Sequence, residues 1–96
     1  MNIAKKEKAE FKPLCEAFTK LYDTDEVYNF LRDICTQSEM SAMAERLEVA
    51  QMVEDGVSYR TISKNTGAST ATITRVAHWL HHGMGGYHSV LARLKN

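Results

Sequence analysis

Between Tyr59 and His78 the chain sets short hydroxylated and basic side chains at helical spacing: Tyr59, Arg60, Lys64, Ser69, Thr70, Ala71, Thr72, Thr74, Arg75 and His78. No carboxylate interrupts them. All 12 Asp and Glu lie in residues 1–55, against 7 Lys and Arg; residues 56–96 carry Arg60, Lys64, Arg75, Arg93, Lys95 and all 4 His. A formal net charge of zero thus hides a segregation that removes repulsion toward a polyanion from one half of the chain. The residue types suit double-stranded DNA. Threonine and alanine methyls meet thymine methyls, hydroxyls reach either base type, and arginine takes a guanine edge or a phosphate. A merely solvated helix face more often mixes Glu with Lys. Here Thr70, Ala71, Thr74, Arg75 and His78 share a side that is short, polar and free of acids.

Other chemistries find less support. His78 and His82 are one helical turn apart, and His81 and His88 lie nearby. No carboxylate or cysteine in this half completes a metal site, so the expectation is no metal, with the histidines serving as groove-edge or phosphate contacts. Gly83-Met84-Gly85-Gly86 follows no strand and lacks the Lys-Ser/Thr of a phosphate loop. No Ser or Cys stands with a base and an orienting acid. The chain is expected to be no enzyme and to need no cofactor.

The elements that must position these residues read as helices throughout. With Tyr59 first, Ile62 is fourth, Ser63 fifth, Gly67 ninth, Ile73 fifteenth and Val76 eighteenth, the spacing of a helix-turn-helix. The fifth position must be small where the two helices nearly touch, and the ninth must tolerate a positive φ. Ser58 caps a first helix to about Thr66; Ser69 or Thr70 caps a second to about His82, with Ile73, Val76, Ala77 and Leu80 inward. Upstream, Phe11, Leu14, Phe18 and Leu21 make one apolar stripe, and Pro13 inside it predicts a helix that starts or kinks there. Thr24 is expected to cap the next helix, with Val27, Phe30, Leu31 and Ile34 inward. Thr36-Gln37-Ser38-Glu39 has capping-box spacing, and Met40, Met43, Leu47, Ala50 and Val53 carry a stripe to the terminator Gly56. A last short helix bears Val90, Leu91 and Leu94, and no segment alternates as a strand would.

The expected fold is therefore an all-α helical bundle in a single domain, 1–96, with dimerisation helices over 1–56, the helix-turn-helix over 58–82 and a C-terminal helix over 87–95. Ninety-six residues with 44% hydrophobic content leave a marginal core, which favours a homodimer. The polar N-terminus offers no secretory signal and no run approaches membrane-spanning length; the protein is read as cytoplasmic, with no membrane partner. Cys15 and Cys35 are read as buried thiols rather than a disulfide, and the five methionines mostly as core.

Thr36-Gln37-Ser38-Glu39, Arg46-Leu47, Gly56-Val57-Ser58 and above all Gly67-Ala68-Ser69-Thr70-Ala71-Thr72-Ile73-Thr74-Arg75 resemble the Trp repressor family, more specifically its YerC/YecD-type branch. The resemblance covers Thr36 to His82. It implies an intertwined helical homodimer whose two reading heads enter successive major grooves of a palindromic operator, with much water-mediated base recognition. It also implies a co-ligand site, whose equivalents here are Thr36, Arg46 and Arg75. Two small residues of that site correspond to Val76 and Trp79. Val76 would crowd an indole, and Trp79 either fills the site from within or is ordinary core or interface. The functional expectation is a sequence-specific transcriptional regulator, a repressor by occlusion. Two alternatives stay open: a helix-turn-helix protein-interaction module without DNA binding, and a DNA-binding regulator responsive to an amino-acid-like co-ligand.

Overall fold

A computed structural model describes residues 3–95. It contains α1 (Ile3–Thr19), α2 (Thr24–Ile34), α3 (Gln37–Glu54), α4 (Tyr59–Thr66), α5 (Thr70–His82) and α6 (Gly86–Leu94), with no strand among the described residues. The chain divides into two compact units, Met1–Gln37 and Ser38–Asn96. Helix α3 groups with the helix-turn-helix in the second unit.

In the N-terminal unit, α1 runs through Pro13 rather than starting beside it. A proline removes one backbone donor and crowds the preceding turn. The Ala-, Lys- and Glu-rich sequence upstream has high intrinsic helicity and carries the helix past that defect. Helix α2 is capped by Asp23, not Thr24: the Asp23 carboxylate accepts from the Glu26 amide at 2.9 Å, and the Glu26 carboxylate accepts in return from the Tyr22 amide at 3.0 Å. A carboxylate one residue earlier satisfies the same orphan amides and also meets the positive end of the helix dipole. Phe18 and Phe30 meet edge-on at 5.2 Å between ring centres. No residue of α1 or α2 is buried.

The C-terminal unit has the core. Val49, Ala50, Ile62, Ala68, Ile73, Val76, Leu80 and Leu91 form one cluster drawn from α3, α4, the α4–α5 turn, α5 and α6. Helix α3 ends as Gly56 takes φ +80°. The Val57 amide then donates to the Met52 carbonyl and the Gly56 amide to that of Val53, each at 3.0 Å, closing the last turn on itself. Helix α6 is held by buried Leu91 and by two polar ties to the end of α3, His88 Nδ1 to Glu54 Oε1 at 3.2 Å and Lys95 Nζ to Asp55 Oδ1 at 3.4 Å.

Several expectations of burial are corrected. Cys15 is exposed and Cys35 half-buried, both as free thiols. Met40 and Met52 are half-buried, but Met43 is exposed and Met84 fully so; Met1 lies outside the described residues. Of Val90, Leu91 and Leu94 in α6 only Leu91 is buried. In α3 it is Val49, beside the expected Ala50, that enters the core, because the core-facing side of a helix next to two crossing helices is wider than a single stripe.

Candidate nucleic-acid interface

Helices α4 and α5 are joined by Gly67-Ala68-Ser69, and each step of this turn has a partner. Ser58 starts α4 by accepting from the Thr61 amide at 3.2 Å. The Gly67 amide donates to the Ser63 carbonyl at 2.9 Å with Gly67 at φ +78°. Ser63 Oγ donates to the Ala68 carbonyl at 2.8 Å. Thr66 Oγ1 donates to the Ile62 carbonyl at 2.7 Å and accepts from the Ala68 amide at 3.1 Å. Ser69 then starts α5 by accepting from the Thr72 amide at 3.1 Å. Ala68, seated in the core, pins the turn from below. The crossing of α4 and α5 is thus fixed by hydroxyls and a glycine above, and by Ile62, Ile73 and Val76 beneath.

This frame sorts the expected contact residues. Thr70, Ala71, Thr74, Arg75 and His78 are exposed and share one side of α5 by helical periodicity, opposite buried Ile73, Val76, Ala77 and Leu80. On α4, Tyr59, Arg60 and Lys64 are exposed, the two cations one turn apart. Among the described residues Arg60, Lys64 and Arg75 make no ion pair, whereas His88 and Lys95 are tied to carboxylates of α3. Ser69 and Thr72 have a different employment. Their hydroxyls are bonded to each other at 3.1 Å in the cap of α5, and Thr72 is half-buried.

Thr72 faces a cleft of about 490 Å³, which it lines with Glu45 and Arg46 of α3, Arg75, Val76 and Trp79 of α5, and Tyr87 of α6. Arg46, Arg75 and Trp79 are therefore brought together, as the resemblance implied. Thr36 immediately precedes α3 and belongs to the N-terminal unit. Trp79 neither fills the cleft nor belongs to the core: it forms a wall, 55% exposed. Val76 is a core residue whose flank reaches the cleft. Glu45 and Tyr87 were not singled out in sequence. Glu45 sits among ordinary helix formers and Tyr87 follows the glycines, and only the packing of α3 and α6 on α5 reveals them.

The profile of the Trp repressor protein family matches residues 9–95. The chain belongs to the Trp repressor family. That is a family of regulators rather than enzymes. Among curated relatives, the uncharacterised protein YerC of Bacillus subtilis is 42% identical over 95 residues, spanning 99% of this chain and 91% of that one. Among solved structures, a candidate Trp repressor from Staphylococcus aureus superposes with a TM-score of 0.88 at 39% identity, covering 99% of this chain and 95% of its own. A TrpR-like protein from Eubacterium eligens gives 0.88 at 40% identity, over 96% and 95% respectively. This Trp-repressor-like, YerC-type chain has no helix, among the described residues, long and apolar enough to cross a membrane.

Proposed function

We propose that the protein is a sequence-specific DNA-binding transcriptional regulator, a repressor that occludes a palindromic operator as a homodimer. One observation carries the reading: the exposed side of α5, with Arg60 and Lys64 of α4, is a short-sided, acid-free surface on a rigidly clasped helix-turn-helix. Its three cations have no carboxylate partner among the described residues. Thr70, Ala71, Thr74, Arg75 and His78 are assigned to base edges and Tyr59, Arg60 and Lys64 to phosphates. Ser69 and Thr72 act indirectly, by holding the first turn of α5.

The cleft favours a second element of the reading, an amino-acid-like co-ligand. Its volume lies within the usual range for small-molecule sites, roughly 300–1,000 Å³, and it combines two guanidiniums, a carboxylate and two aromatic rings. Arg46 and Arg75 suit a carboxylate, Glu45 an ammonium and Trp79 or Tyr87 an apolar side chain. The protein-interaction alternative gains no such observation.

The test is selection of bound duplexes from a random DNA pool, with and without an amino-acid mixture, followed by salt titration of the winner. A defined palindromic site should emerge. With roughly three to five phosphate contacts per subunit, the log–log salt slope should fall near about −5 to −9. No enrichment and no binding at low salt would replace this reading with the protein-interaction one.

A further inference from the structure

Two of the four histidines are placed to act as a unit. His78 and His82 are exposed on one face of α5, and their ring centres are 5.1 Å apart with planes inclined by 45°. His81, one residue before His82, is 6.5 Å from it between ring centres. Against His78, at 5.0 Å and nearly perpendicular, stands Trp79, the one tryptophan in the chain.

We propose that His78 and His82 form a two-histidine chelate for a divalent transition-metal ion of the zinc, nickel or copper class, with water completing the coordination. The distance argues for it. A ring bound through nitrogen has its centre about 3.2 Å from the ion, being about 2.05 Å of bond plus about 1.15 Å of ring. Two centres 5.1 Å apart then subtend about 106° at the ion, between octahedral and tetrahedral values. The spacing of the ring centres is compatible with that arrangement, and rotation about the terminal side-chain bonds, which turns the ring nitrogens, is soft for imidazole. Because both ligands ride on one helix, the second nitrogen binds intramolecularly, which raises its effective concentration. Among the described residues no group of three or more His, Cys, Asp or Glu gathers, so this is an open, exchangeable site and not a closed structural one. Imidazole pairs select borderline ions over hard ones, so magnesium and calcium are excluded. Arg75 lies one turn before His78, and its charge weakens the site without blocking it. The proposal does not depend on DNA binding.

The experiment is a fluorescence titration of Trp79 in tag-free protein with nickel and copper chlorides. Both ions quench an adjacent indole; diamagnetic zinc does not, and should restore emission by competition. Copper should bind most tightly, and millimolar magnesium or calcium should do nothing. His82→Gln, an exposed change at the last turn of α5, should weaken nickel binding by about tenfold or more through loss of the chelate. His81→Gln should stay within about twofold, the margin expected of an uninvolved neighbour. In proton NMR, substoichiometric nickel should broaden the ring signals of His78 and His82 before those of His81 and His88. Equal broadening of all four, or a His82→Gln titration indistinguishable from the parent, overturns the chelate.

Discussion

At the scale of single residues, the division of labour on the helix-turn-helix is sharp enough to test with two substitutions. Thr74 is exposed at the middle of the acid-free side of α5, while Lys64 is exposed on α4 with no ion-pair partner among the described residues. Thr74→Ala removes a base-reading hydroxyl and should change which operator is preferred, by about 1–3 kcal/mol at the affected base pair. Lys64→Ala should weaken every duplex alike and make the salt slope shallower by about one. Competitive binding across a panel of single-base operator variants separates the two patterns; identical profiles would mean that α5 does not read bases. Most of these residues were legible in the sequence because helical periodicity alone assigns Thr70, Ala71, Thr74, Arg75 and His78 to one side. Ser69 and Thr72 were expected as direct contacts, and the structure gives them a capping role besides. A hydroxyl looks the same in sequence whether it caps a helix or meets a base, and the 3.1 Å bond between the two shows the cap.

At the scale of elements, the α4–α5 crossing depends on Gly67 and Ser63. Gly67 sits at φ +78° with open space where a Cβ would be, so the cost of Gly67→Ala is purely conformational. It should destabilise the fold by about 1–2 kcal/mol. Ser63→Ala should cost about 1 kcal/mol, since the Ala68 carbonyl loses its 2.8 Å donor. Chemical denaturation measures both, and a Gly67→Ala variant as stable as the parent would show that the turn has another low-energy form. These elements were readable in advance, down to Ser58 as cap and Gly67 as the left-handed residue, because turn chemistry is local. At Pro13 the sequence left a helix start and a kink both open, and the structure shows that α1 does not start there. The penalty of Pro13 is local, but the helicity that outweighs it is summed over the residues before it. Of the cleft, the family resemblance pointed to Arg46, Arg75, Val76 and Trp79 but not to Glu45 or Tyr87, which join it only through the packing of three helices.

At the scale of the whole molecule, the distribution of apolar surface argues for a second copy of the chain. In the N-terminal unit Phe11, Leu14 and Phe18 are 47%, 42% and 37% exposed and Ile34 is 50% exposed, and neither α1 nor α2 buries a single residue. Isolated helix pairs of this length are marginal in water, so what stabilises them must be packing of their apolar stripes. The C-terminal unit repeats the pattern around an apolar cleft of about 520 Å³, lined in part by Leu47, Trp79, Met84, Tyr87 and Val90. Contiguous exposed apolar surface on a small protein marks an interface, and the reading of a palindromic site asks for two-fold symmetry. Sedimentation equilibrium should therefore return twice the 10.9 kDa chain mass at micromolar concentration. Thermal unfolding should shift upward with protein concentration, as mass action requires when folding and association are linked. Leu14→Glu, which puts a charge into the α1 stripe, should move the protein toward monomer and lower its melting temperature, whereas Lys12→Gln on another side of α1, which gives up only an exposed pair with Glu16, should leave both measurements nearly unchanged. A parent protein that sediments as an 11 kDa-class species with a concentration-independent transition would show that α1 and α2 are stable alone, and would remove the symmetric operator from the proposal.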